Sequence, residues 1–158
     1  MTKKEILKYW ENVRELTLKV LDRFPEHQSG YRPADGVRSV AKLFDHILAV
    51  ELYARKGIID NIWGPVPTPA LGNSSLAALR VALVGEHSTT IAKLRLLPET
   101  RFTQFYDTPF GKITGEGMIY LAIDEEIHHR GNLYTYLRML GVEPPQMVQR
   151  YFEIFLEK

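Results

Sequence analysis

The run GEGMIYLAIDEEIHHRGNLYTYLRML, residues 115–140, is apolar at helical spacing from end to end. Met118, Leu121, Ala122, Leu133, Tyr136 and Leu140 trace one stripe, as a helix facing a core requires. Glu125 and His129 interrupt that stripe. At about 100° per residue they lie about 40° apart around the axis and about 6 Å apart along it, so both side chains reach one object. Burying even a neutral polar group without a partner costs roughly 2–7 kcal/mol, so something must compensate them. A divalent metal is one compensator and a hydrogen-bond network the other. A second stripe, Ile119, Ile123, Ile127, Tyr134 and Leu137, predicts cover on a further side, from a subunit interface or from a short helix over residues 147–157.

Three more helical segments precede this one. Thr2 with Glu5 is a capping-box signature, and Ile6, Trp10, Val13, Thr17, Val20 and Phe24 then share a face that ends before Pro25. Residues 26–38, with Gly30, Pro33 and Gly36, read as a connector. Ser39 caps a second helix whose inward face is Val40, Leu43, Phe44, Ile47, Val50, Ala54 and Ile58, with His46 at its edge. Residues 63–73 hold three prolines and two glycines, too broken for regular structure, and predict a surface loop. Ser74 or Ser75 caps a third helix with Leu76, Leu79, Leu83, His87, Thr90, Leu94 and Leu97 inward, closed by Pro98. Residues 102–113 are aromatic and β-branched around Asp107, Pro109 and Gly111, a small hairpin. The fourth helix stops at Gly141, and Pro144 and Pro145 prevent its continuation. The expectation is an all-α chain, an antiparallel four-helix bundle with a short fifth helix, in one domain spanning 1–158.

The totals narrow the function. The chain has 158 residues, 20 basic and 19 acidic, and a net charge of +1. That balance lacks the basic excess of a nucleic-acid binder or a polybasic membrane patch. The absence of cysteine excludes disulfides, a thiol nucleophile and thiolate zinc ligation, and fits a reducing cytosol. No apolar run approaches the roughly 18–20 residues that a span requires, so the expected location is cytoplasmic with no membrane partner.

His46, Glu125 and His129 would form a two-His, one-carboxylate site on two helices, suited to zinc, nickel, iron or manganese. Such a site lowers the pKa of a bound water or thiol and generates a nucleophile near neutral pH. The ordinary alternative is an i, i+4 Glu/His pair that binds nothing. His87 is a further candidate ligand, or a hydrogen-bonded core histidine. His128 with Asp124, and Arg130 with Glu126, read as local structural pairs. Glu126-x-x-His129 matches half of a di-iron carboxylate motif, but no second copy exists. His-Glu-x-x-His, Gly-x-Ser-x-Gly and phosphate-binding glycine loops are all missing.

YRPADGVRSV at 31–40, His46, TPFG at 108–111, IHHRGNLYTYLR at 127–138 and GVEPP at 141–145 together resemble the DinB/YfiT-like superfamily, over most of the chain. The resemblance implies a bundle in which one histidine of the second helix and a His-x-x-x-His pair of the fourth hold a divalent metal, most often zinc or nickel. Matched by position, these are His46, Glu125 and His129, with Glu125 standing where the family carries its first paired histidine. The implied activities are transfer of a low-molecular-weight thiol to a small electrophile, or hydrolysis, by a protein that is commonly a homodimer. Asn132, one turn beyond His129, and Tyr53, seven residues beyond His46, would line a substrate cleft between the second and fourth helices. The rival expectation is a non-catalytic, dimeric, stress-related bundle with a degenerate metal site.

Overall fold

The computed structural model describes residues 1–149 and 152. Four long helices carry the fold: α1 (Lys3–Leu21), α2 (Val40–Asp60), α3 (Leu76–Leu96) and, after a short α4 (Thr100–Thr103) and the strands β1 (Phe105–Thr108) and β2 (Gly111–Thr114), α5 (Gly115–Met139). Their starts are local chemistry. Thr2 and Glu5 form a reciprocal capping box, and Ser39, Ser75 and Thr114 each accept a backbone N–H of the first turn, satisfying donors that a helix end leaves unpaired. The second helix ends at Asp60, where Asn61 adopts a left-handed conformation (φ 55°) and closes it.

Each long helix packs on two others: α1 on α3 and α5, and α2 on the same two. One end of the bundle gathers the C-terminal part of α1, the N-terminal parts of α2 and α3 and the C-terminal part of α5, around Val20, Phe44, Leu79 and Leu137. The other end gathers the opposite halves, around Leu7, Ile58, Leu94 and Ile119. Two helices therefore run each way, α1 with α5 and α2 with α3. Because α2 and α3 are parallel neighbours, the segment 61–75 must return the full length of the bundle. Asp45, buried in α2, fastens it: Oδ1 accepts from the amides of Ala70 (3.0 Å) and Leu71 (2.7 Å), and Oδ2 from Gly72 (3.3 Å). The broken composition of 63–73 is thus that of a tied crossover. The return begins with Trp63 lying directly on Gly57, where a Cβ would collide with the indole.

The hairpin pairs Phe105 with Thr114 and Thr108 with Gly111. Tyr106 is its inward anchor, its hydroxyl donating to Ile58 O (3.2 Å) and Arg101 O (3.0 Å). Ile119 and Ile123, expected to need outside cover, are instead buried within this chain beside Ile6, Leu7 and Trp10. Neither a partner subunit nor a fifth helix is required for those two residues. The expected helix over 147–157 falls mostly on residues outside those described.

Candidate metal centre

Between the two apolar ends of the bundle lies a layer of polar side chains with two distinct halves. One half is closed. Arg14, Glu51, Glu126 and His87 are all buried, and they come from all four long helices. The Arg14 guanidinium grips Glu126 with two bonds, Nε to Oε1 at 2.8 Å and Nη2 to Oε2 at 2.9 Å. Its Nη1 lies 2.8 Å from Glu51 Oε2 and donates to Leu83 O (3.1 Å). Trp10 Nε1 donates to Glu126 (3.2 Å), and His87 Nδ1 meets Glu51 at 3.1 Å. Burial alone would raise both carboxyl pKa values, but the guanidinium overrides it, holding Glu51 at about 2 and Glu126 below its usual value.

This cluster corrects one expectation. Glu126 is a partner of Arg14, not of Arg130, which reaches across to Val13 O (2.9 Å). Of the two readings of His87, the hydrogen-bonded core histidine is the one found, and it does not join the candidate ligands. The only local hint was Glu126 falling on the second apolar stripe beside Ile119 and Ile123.

The other half is open. His46 Nε2 lies 3.3 Å and His129 Nε2 3.2 Å from the same atom, Glu125 Oε2. One ligand atom from each of the three residues lies within 4.8 Å of the others. The imidazole planes stand nearly perpendicular, 84°, with centroids 4.8 Å apart. Zinc–nitrogen and zinc–oxygen bonds of about 2.0–2.1 Å place adjacent ligands of a tetrahedron roughly 3.3 Å apart, so separations of 3.3 and 3.2 Å match those of ligands sharing an ion. The donor set fits a divalent metal. His129 is buried while His46 and Glu125 are half-buried, which leaves an open side.

The protonation of the pair suits ligation. Burial, then the neighbouring charge of His46, pushes His129 down to about 4. Burial, then the charge of Arg38, lowers His46. Both imidazoles are therefore neutral near pH 7, the form that coordinates. The far nitrogen of His129, Nδ1, is buried with no hydrogen-bond partner among the described residues. His128 is exposed, touches His129 edge to face (centroids 4.9 Å apart) and makes no hydrogen bond among those residues.

The chain matches the family model for the DinB family over residues 1–154. It belongs to the DinB family. It is 28% identical over 151 residues to the uncharacterized protein YjoA of Bacillus subtilis, a match covering 92% of this chain and 96% of that protein. The crystal structure of YjoA, a DinB-like protein, superposes with a TM-score of 0.73 over 90% of this chain and 96% of the other. A DinB-like protein from Bacillus cereus, 17% identical, shares the fold with a TM-score of 0.76 over 91% and 96% of the two chains. These matches carry the helical architecture and the family; they do not specify a reaction.

A cleft of about 440 Å³ adjoins His46 and Glu125, walled by Val50, Tyr53, Phe110, Ile113, Met118 and Leu121, with Lys112 also lining it. Tyr53 lines it as the sequence predicts, its hydroxyl donating to Gly64 O (2.9 Å). Asn132 does not. Sequence reasoning finds the hairpin but not its use: residues 108 and 110–113 form one wall of this cleft, and nothing local marks them for it.

Proposed function

We propose that this DinB-family protein is a divalent-metal-dependent enzyme in which His46, Glu125 and His129 hold the ion, with zinc or nickel favoured over iron or manganese. The observation that carries the proposal is the convergence of two neutral imidazole nitrogens on one carboxylate oxygen at ligand–ligand separations, beside an apolar cleft. A bound cation supplies Lewis acidity, letting a thiol or water lose its proton near neutral pH. The chain's own groups do the rest. Glu125 contributes the one negative charge of the ligand set and the two imidazoles keep their donor nitrogens free of protons. Val50, Phe110, Met118 and Leu121 give the cleft an apolar lining that suits an apolar small molecule. The reaction class that follows is S-transfer from a low-molecular-weight thiol, or hydrolysis, by a cytoplasmic homodimer that uses neither nucleic acid nor membrane.

The second reading is a non-catalytic, stress-related dimer. It is favoured by Glu125 Oε2 lying within hydrogen-bonding reach of both imidazoles, an arrangement that compensates all three groups without metal. Elemental analysis of protein purified without a chelating tag separates the two. About one equivalent of metal per chain is expected in the wild type, and far less in His46→Ala and His129→Ala. Equal metal in all three proteins, or none in any after incubation with zinc or nickel, leaves the second reading.

A further inference from the structure

The three candidate ligands come from two helices, His46 from α2 and Glu125 and His129 from α5, so their separations depend on how those helices are held together. The ligands do not hold themselves. His46 and Glu125 are half-buried, and a partly exposed contact between an imidazole and a carboxylate is worth little.

The residue after each α5 ligand is instead bonded on another side of the helix. Glu126, which follows Glu125, takes two bonds from the Arg14 guanidinium and one from Trp10 Nε1. Arg130, which follows His129, donates to Val13 O at 2.9 Å. Successive helical residues diverge by about 100°, so α5 offers its ligands to α2 while the residues behind them fix it to α1 at two points about one turn apart. Val13 and Arg14 are consecutive on α1, and Arg14 does not stop at α5. Its Nη1 lies 2.8 Å from Glu51 Oε2, on α2 five residues beyond His46. One buried guanidinium thus bridges, from behind, the two helices that carry the ligands. Forked, charge-assisted bonds are short and directional, so they fix position as well as charge.

We propose that Arg14 is the positioning residue of the metal centre: by clamping Glu51 and Glu126 at once it sets α2 against α5, and with them the convergence of His46, Glu125 and His129. What that convergence holds rests on the metal reading above; the spacing itself is a property of the metal-free chain. A metal site tolerates ligand shifts of only about 0.2 Å. Lysine at position 14 would keep the charge but lacks the planar fork that spans both carboxylates.

The test compares the wild type with Arg14→Lys and with Leu94→Ala, a buried truncation on α3, which carries no ligand. Zinc and nickel affinities are measured by chelator competition and coordination geometry by cobalt(II) visible absorption. The NOE between the His46 and His129 rings, whose centroids stand 4.8 Å apart, is recorded on metal-free protein. In Arg14→Lys the preference for zinc over nickel should fall about tenfold, the cobalt spectrum should change and the ring NOE should weaken. Leu94→Ala should match the wild type in all three although it too is less stable, which a merely structural role for Arg14 does not predict. An unchanged ring NOE in Arg14→Lys, or equal changes in Leu94→Ala, overturns the proposal. If the wild type takes up no metal, the metal reading falls and the ring NOE decides alone: its loss in Arg14→Lys sustains the positioning role and its persistence overturns it. Should Arg14→Lys not fold, Trp10→Phe, which removes the indole donor to Glu126, takes its place with the same outcomes and a change in preference of about threefold.

Discussion

Two clusters of carboxylate and imidazole occupy the middle of this bundle, and they differ in where their positive charge comes from. Glu51 and Glu126 pair with a buried cation that the chain supplies, Arg14, and His87 is bonded to Glu51. His46, Glu125 and His129 converge with no cation of the chain among them, beside an open cleft lined by His46 and Glu125. The same side-chain chemistry is structural where a guanidinium is built in and available for a ligand where it is not. Breaking a buried ion pair strands its partners and is costly, whereas a half-exposed pair is worth little.

The largest expected effect follows from that contrast. Arg14→Met, which leaves two buried carboxylates unpaired, should cost about 3–5 kcal/mol in urea unfolding, whereas Glu125→Gln should cost less than about 1 kcal/mol. Comparable losses would mean that the two clusters are not the different objects described.

Acid should separate them next. His129 is held at about 4 in the fold against an ordinary 6.5, so the unfolded chain takes its proton first. That contribution to stability is complete above about pH 6.5 and is lost as pH falls toward 4. Glu51, held at about 2, and Glu126, also lowered, stabilise the fold above the unfolded carboxyl value of about 4.3 and lose that contribution below it. Urea midpoints of the metal-free protein should therefore decline in two windows. His129→Gln should flatten only the upper one, and a lower window that also flattens would contradict the assignment.

A smaller effect concerns the tied crossover. Asp45→Ala should cost about 1–3 kcal/mol and speed hydrogen exchange at Ala70, Leu71 and Gly72, the amides it holds. Unchanged exchange there would show that the crossover is held by other contacts. The smallest effect is at the ligand set itself. Glu125→His restores the His-x-x-x-His pattern of the resemblance and should raise zinc affinity about tenfold in chelator competition. A fall in affinity would indicate a pocket shaped around the carboxylate.

How much of this was readable in advance depended on whether the deciding interaction was local. The capping box at Thr2, the cap at Ser39, the hairpin and the convergence of His46 with Glu125 and His129 were all legible, because each rests on short spacing, a turn residue or a family pattern. The i, i+4 rule failed for Glu126 and Arg130, since it describes exposed helix faces, and buried charges choose partners across the core. Arg14 and Glu126 are 112 residues apart, and no spacing connects them. The cover of Ile119 and Ile123 was likewise undecided until α1 was seen to lie on them.

By itself the amino-acid order determined the four long helices, the caps of the first two, the broken segment between the second and third, and the three residues worth suspecting as ligands. Helical period and capping act within a few residues and need no knowledge of neighbours. Tertiary structure alone decided that α2 and α3 run parallel, that Asp45 ties the returning strap, that Arg14 neutralises one polar cluster and that the hairpin walls a cleft beside His46. Those outcomes depend on which faces are brought together through space, and a buried charge or a cleft wall has no local signature.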